Sequence, residues 1–210
     1  MPTIENAKTW YEENDPVHGF NHILRVYHLA ERLALAEAAD LEIVRAAALL
    51  HDAEGPGAGV NRLEHQHASA YFAGVILKNE GWPDEKIAAV QHCIRSHRYR
   101  EPSEQPQTIE AKVLFDADKL DAIGAIGVVR AISFAVLANQ DLFEDPSERF
   151  VATGETEPGE SHTPYHEYLF KLRKIKDRMV TESGRAIAED RHAFIEKFFN
   201  QLRAELINEK

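Results

Sequence analysis

The sequence predicts an all-α fold, a single-domain helical bundle, on three observations. Nearly every long segment repeats its apolar residues at helical spacing, and alternating strand-like stretches joined by two-residue turns are missing. With 44% hydrophobic and 28% charged residues over 210 positions, the chain also has enough apolar material for one sizeable core.

The elements follow in order. Asp15-Pro16 reads as an N-cap followed by Pro at the first helical position, opening a helix whose stripe runs His22, Val26, Leu29, Leu33 toward Ala39. Asp40 caps a second helix with the line Val44, Ala47, Ala48, His51, which ends against Glu54-Gly55-Pro56-Gly57-Ala58-Gly59 because Gly and Pro break helices. A third helix covers about Leu63 to Glu80 and stops at Gly81-Trp82-Pro83; Asp84 caps a fourth with Ile87, Val90, Ile94 and His97 in line. Thr108 caps a fifth, Ile109 to Leu120, which runs into the apolar stretch Ile123 to Ala138. From Glu144 to Pro164 the composition turns to Asp, Glu, Pro, Gly, Ser and Thr without periodicity, so a long loop is expected, either a lid over a site or an unstructured insertion. Two helices close the chain, roughly Tyr165 to Val180 and Ser183 to Asn208. One domain spans 1–210, with a motif core at about 15–125, the loop at about 144–164 and C-terminal helices at about 165–208 packing on the core.

Charge and cysteine usage bound the function. Lys and Arg total 24 against 35 Asp and Glu, and a formal charge of −11 opposes both a nucleic-acid backbone and an anionic membrane surface. The single cysteine, Cys93, excludes an intramolecular disulfide framework and a thiolate zinc cluster. The N-terminal residues lack an apolar signal core and no long uninterrupted apolar run occurs, so a cytoplasmic protein is expected; residue order does not choose between monomer and homodimer. Phosphate-loop, dinucleotide-fold and nucleophile-elbow motifs are absent. What stands out is eleven histidines.

Imidazole and carboxylate together hold divalent metal ions, and a helical scaffold supplies such ligands from positions that face one core. His22, His51 and His97 each fall on an apolar stripe, Asp52 adjoins His51, and Asp116 and Asp118 sit among Val113, Leu114, Phe115 and Ala117. A buried carboxylate needs a partner or a cation. Neighbours on a regular helix point about 100° apart, so His51 and Asp52 can share a site only at a helix end, which the Gly-rich stretch provides. Any one histidine on an apolar face is more often a hydrogen-bonded core residue; several elements each presenting one favour a metal centre. His18 and His22 are spaced i, i+4 but lack the intervening Glu of a metalloprotease helix, and His18 reads equally as a rim residue. Periodicity does not separate Asp116 from Asp118, since both have apolar neighbours at spacings of three and four.

The segments His22-Ile23-Leu24-Arg25-Val26, Leu49-Leu50-His51-Asp52 and Asp116-Ala117-Asp118-Lys119-Leu120-Asp121-Ala122-Ile123-Gly124-Ala125 resemble the HD superfamily of metal-dependent phosphohydrolases. The resemblance continues through Lys176-Asp177-Arg178-Met179, Thr181-Glu182 and Ala188-Glu189-Asp190-Arg191-His192, which are similar to a bacterial branch of standalone HD hydrolases that includes nucleotide pyrophosphohydrolases. It implies a metal held by His22, His51, Asp52 and one later Asp, and the family pattern of Ala before and Leu two after that Asp selects Asp118. Binuclear members add histidines in the regions that His65-Gln66-His67-Ala68-Ser69-Ala70 and Ile94-Arg95-Ser96-His97 resemble, so His65 and His97 are read either as substrate contacts or as ligands of a second metal.

The function so implied is hydrolysis of a small phosphorylated metabolite, a nucleotide foremost, at a phosphoester or pyrophosphate bond. A divalent ion lowers the pKa of bound water and polarises a phosphoryl oxygen. Mn, Fe, Co, Zn, Ni and Mg are all compatible, with Mn or Fe favoured. Asp52 joins the chemistry as a ligand, and Glu54 or Asp121 is the candidate base. Against an acidic protein, a phosphate needs local cations: Lys119, Arg178 and Arg185 are the candidates, with His18, His65, His67 and His97 lining the substrate. The basic run Lys171 to Arg178 also reads simply as a solvated helix face. The alternatives are a di-iron oxygenase of the same fold and a non-catalytic metal-binding or sensing domain.

Overall fold

The computed structural model describes residues 1–11, 19–53, 65–98 and 104–206, and among them every regular element is helical. The helices are α1 (Ile4–Lys8), α2 (Phe20–Ala36), α3 (Leu41–Leu50), α4 (His65–Asn79), α5 (Asp84–Ser96), α6 (Ile109–Leu120), α7 (Gly124–Leu137), α8 (Glu148–Thr153), α9 (Pro164–Phe170) and α10 (Glu182–Leu206). None is long and apolar enough by itself to cross a membrane.

Several boundaries follow the expected capping chemistry. Asp40 Oδ1 accepts from the Glu42 and Ile43 amides at 2.8 and 3.4 Å, and Thr108 Oγ1 accepts from the Ala111 amide at 3.2 Å. Others differ. Extended Gly19 (φ −69°, ψ −178°) is the N-cap of α2, which therefore starts at Phe20; Asp15 and Pro16 lie outside the described residues. Pro83 is the N-cap of α5, so Asp84 is its first residue and acts through the helix dipole rather than as the cap. The apolar stretch after α6 is a separate helix, because Gly124 takes φ +75° and its left-handed backbone cannot continue α6.

The stretch expected as a loop contains α8, a helix of six residues, too short to register as periodicity. Ser147 Oγ caps it by accepting from the Phe150 amide at 3.0 Å, and Gly154 ends it at φ +78°. The rest of the segment is gathered around Glu160, whose carboxylate accepts from the Ser147 amide (2.7 Å), Ser147 Oγ (2.8 Å) and the Glu157 amide (2.6 Å) and contacts buried His166 Nε2 at 3.0 Å. The expected helix over Tyr165 to Val180 is also shorter: α9 ends at Phe170, and two 3-10 turns, Leu172–Lys174 and Lys176–Arg178, follow. Eclipsing at every third residue lets these turns bury Leu172 and Ile175 together, while Lys171, Arg173, Lys174 and Arg178 stay exposed.

Chain contacts gather the helices into two units. The first comprises residues 1–119 and 180–184; the second comprises 120–179 and 185–210. In the first, α2 packs on α3, α4 on α5, and α3 against α1, α4 and α5, around Ile23, Leu33, Leu49, Leu50, Leu77 and Ile94, all fully or almost fully buried. In the second, α7 packs on α9, Tyr168 stacks on Phe199 with centroids 4.7 Å apart, and Ile175 and Ile195 are buried.

Candidate metal centre

The first unit carries the cluster, and helix ends build it. His51 is the C-cap of α3 and His97 the C-cap of α5. Each imidazole donates through Nδ1 to a carbonyl left orphaned in its own last turn, His51 to Ala48 O at 2.8 Å and His97 to Ile94 O at 2.5 Å. A carbonyl only accepts, so Nδ1 of each ring carries a proton, and it is Nε2 of each ring that lies toward Asp52. Asp52 follows His51 in the turn after the helix, which is how two consecutive residues reach one site. His22 comes from the buried stripe of α2 and His65 opens α4.

The ligand atoms of His22, His51 and Asp52 lie within 4.8 Å of one another, as do those of Asp52, His65 and His97. The two triads share Asp52. Its Oδ1 is 3.2 Å from His65 Nε2 and 3.5 Å from His97 Nε2, and its Oδ2 is 3.7 Å from His51 Nε2. Asp118 joins through Oδ1, 3.4 Å from His22 Nε2. The ring centroids of His22 and His51 are 5.5 Å apart, and those of His51 and His97 5.3 Å.

Electrostatics agree with a ligand set. Burial, opposed by the Asp52 carboxylate, pushes the His51 imidazole down to about 4, so it is neutral at pH 7. Burial would raise Asp52, but the surrounding imidazoles, His51 first, hold it well below the usual carboxylate range. Asp118 is likewise held low against burial, by Lys119 and by His22. Four buried side-chain atoms among the described residues have no hydrogen-bond partner, and two of them, His51 Nε2 and Asp52 Oδ1, belong to this cluster. An orphaned lone pair and an orphaned carboxylate oxygen, both aimed into a group of imidazoles, suit a divalent cation of intermediate softness.

Asp116 is built differently. Fully buried, it accepts from the Val180 amide (3.0 Å), the Thr181 amide (2.8 Å) and Thr181 Oγ1 (2.6 Å). That carboxylate anchors the Val180–Gly184 segment, whereas Asp118 faces His22. The structure thus separates two acids that periodicity leaves equivalent.

Other expected residues fall as follows. His18 and Glu54 lie outside the described residues. His67 is exposed on α4, two positions past His65 and so on another face. Lys119 is buried, with Nζ 2.7 Å from both Asp118 Oδ2 and the His97 carbonyl oxygen. Asp121 is buried in the second unit, with its Oδ2 ion-paired with Arg130. Arg178 and Arg185 also belong to the second unit and are exposed; Arg185 Nε donates to Met179 O at 3.1 Å. Two contributors escaped the sequence reading. Tyr11 donates its hydroxyl to Leu49 O at 2.8 Å, and burial, with the Asp52 charge second, holds its phenol well above the usual range. Arg98 donates to Gln66 Oε1 at 2.8 Å, tying together the residues that follow His97 and His65. Their only sequence signal is adjacency to a site histidine for the second pair, and none for Tyr11.

A model of the HD domain family matches residues 19–123, the stretch that contains all six clustered residues. The chain belongs to the HD domain family. YpgQ of Bacillus subtilis is 31% identical to this HD protein over 216 residues, covering 98% of this chain and 95% of YpgQ. The crystal structure of YpgQ in complex with ADP matches with a TM-score of 0.74 at 30% identity, covering 97% of each chain. An HD-superfamily hydrolase from Bacillus thuringiensis matches with a TM-score of 0.70 at 26% identity, over 97% of this chain and 96% of that one. The HD motif is thus part of a likeness that runs nearly end to end.

Proposed function

We propose that this HD protein is a divalent-metal-dependent phosphohydrolase of a small phosphorylated metabolite, a nucleotide foremost. The observation that carries the reading is the pair of triads meeting at Asp52, with His51 Nε2 and Asp52 Oδ1 buried and unpartnered. His22, His51, Asp52 and Asp118 would hold the ion. When bound there, it supplies Lewis acidity that lowers the pKa of water and polarises a phosphoryl oxygen. The chain's own part is to aim and to bind. The Ala48 and Ile94 carbonyls fix the rings of His51 and His97, so neither must reorganise as charge develops. His65, 21% exposed, is the imidazole of the second triad through which a substrate oxygen can be met, with His97 behind it. The complex of YpgQ with ADP supports a nucleotide as the substrate class, and the net charge of −11 favours a small ligand over a nucleic-acid polymer.

A second reading concerns the number of ions. The Asp52, His65 and His97 triad has the spacing for a second metal, which would make those histidines ligands and keep a di-iron oxygenase open. Metal analysis decides between them: one ion per chain supports the mononuclear hydrolase, and two irons with oxygen-dependent turnover support the alternative.

The test is a screen of nucleoside mono-, di- and triphosphates with Mn, Fe, Co or Mg, scored separately for orthophosphate and pyrophosphate. Turnover should appear with metal, vanish on chelation and vanish in Asp52→Ala. Undiminished turnover by Asp52→Ala would overturn the assignment.

A further inference from the structure

We propose that Lys119 is a positioning residue that keeps Asp118 a one-oxygen ligand and so leaves one more position on the ion open. The inference rests on the metal-centre reading above and goes beyond it by assigning a task to a cation in contact with a ligand. Lys119 Nζ is held at three points inside the first unit. It donates to Asp118 Oδ2 at 2.7 Å and to the carbonyl oxygen of His97 at 2.7 Å, and it lies 5.1 Å from the centroid of the Phe115 ring. The His97 contact matters because His97 is the C-cap of α5, so the ammonium is fixed from α5 as well as from α6 and cannot follow the carboxylate if it rotates. The other oxygen, Oδ1, is the one that faces His22 Nε2 at 3.4 Å.

The two carboxylate oxygens therefore meet opposite surroundings. Oδ2 carries a charge-assisted hydrogen bond and a neighbouring positive charge that repels a divalent ion, while Oδ1 is turned to the imidazole side. A carboxylate so divided binds through one oxygen. Freed from the ammonium, it could chelate through both, occupying a position that a hydrolytic site needs for solvent or substrate. This distinguishes Lys119 from a substrate contact, since two of the three donors of its ammonium point at protein oxygens.

The experiment compares wild type, Lys119→Met and Lys119→Arg, with thermal melts to verify folding, by calorimetric titration with Mn²⁺ and by water-proton relaxation of the bound Mn²⁺. Removing the positive charge and releasing Oδ2 should tighten Mn²⁺ binding by about tenfold or more. It should also lower the relaxivity per bound ion as coordinated water is lost. On nucleotides turned over by the wild type, kcat should fall at least about tenfold with KM nearly unchanged. Lys119→Arg, which keeps a cationic donor to Oδ2, should recover most of the wild-type relaxivity. If Lys119→Met does not fold, Lys119→Gln carries the same comparison. Unchanged affinity and relaxivity with a raised KM would overturn the proposal and make Lys119 a substrate contact. Weaker binding by the neutral variants would overturn it too. A wild-type protein that binds no Mn²⁺ would remove the metal-centre reading itself, a result distinct from either.

Discussion

Asp116 and Asp118 are two residues apart on α6, yet they are held by different atoms, and their substitutions should fail differently. Asp116 closes three hydrogen bonds from Val180 and Thr181, so Asp116→Ala removes the shared acceptor of two backbone amides and a hydroxyl and should cost about 3 kcal/mol in chemical denaturation. Asp118→Ala should cost clearly less stability while removing metal binding, measured by titration on the same samples. The packing around Asp116 leaves no slack: a Cβ on Gly184 would sit 2.2 Å from Asp116 Oδ2. At this scale the sequence was informative where a residue interrupts an apolar stripe, as His22, His51 and His97 do. It was silent on Asp116 against Asp118, because the deciding partners lie 64 and 65 residues further along the chain. Tyr11 and Arg98 were missed for the same reason: their partners are Leu49 and Gln66, outside any local pattern.

Among elements, caps and breakers were the legible features. Asp40 and Thr108 cap α3 and α6 as their residue types imply, and α3 ends at Leu50, a few residues before the Gly- and Pro-containing stretch of the sequence. Short elements were not legible, since a six-residue helix such as α8 spans under two turns and the 3-10 turns after α9 do not follow a 3.6-residue period. The segment holding α8 makes its own prediction. The hydrogen bond from the Ser147 amide first, and then, against burial, those from Glu157, His166 and Ser147 Oγ bring the Glu160 carboxyl down to about 2 from an ordinary value near 4.5. A depressed folded-state pKa means stabilisation that is complete above about 4.5 and is lost as the pH falls through that value toward about 2. Glu160→Gln should therefore melt below the wild type at pH 7, and the gap between them should close as the pH is lowered from about 4.5 toward about 2. A gap that stays constant with pH would show that shape, and not ionisation, holds the segment.

For the whole molecule, the division into units does not follow the order of the chain. Residues 1–119 make most of the first unit, but Val180–Gly184 return to it after 60 intervening residues of the second. Helical content was readable throughout, because apolar periodicity is local; this return was not, because it depends on Asp116 meeting Thr181. The family match ends at residue 123, which invites truncation there. A chain cut after Ile123 loses Val180 and Thr181 and leaves the buried Asp116 carboxylate without those donors, so circular dichroism should find it unfolded or unable to melt cooperatively. A sharp, wild-type-like melt would show that the return segment is dispensable. The C-capping histidines tie aim to helicity. Their Nδ1 contacts reach back only three residues, so each ring takes its orientation from the last turn of its own helix and from no distant partner. A substitution that frays the end of α3 or α5 would therefore swing the imidazole away together with the backbone that carries it.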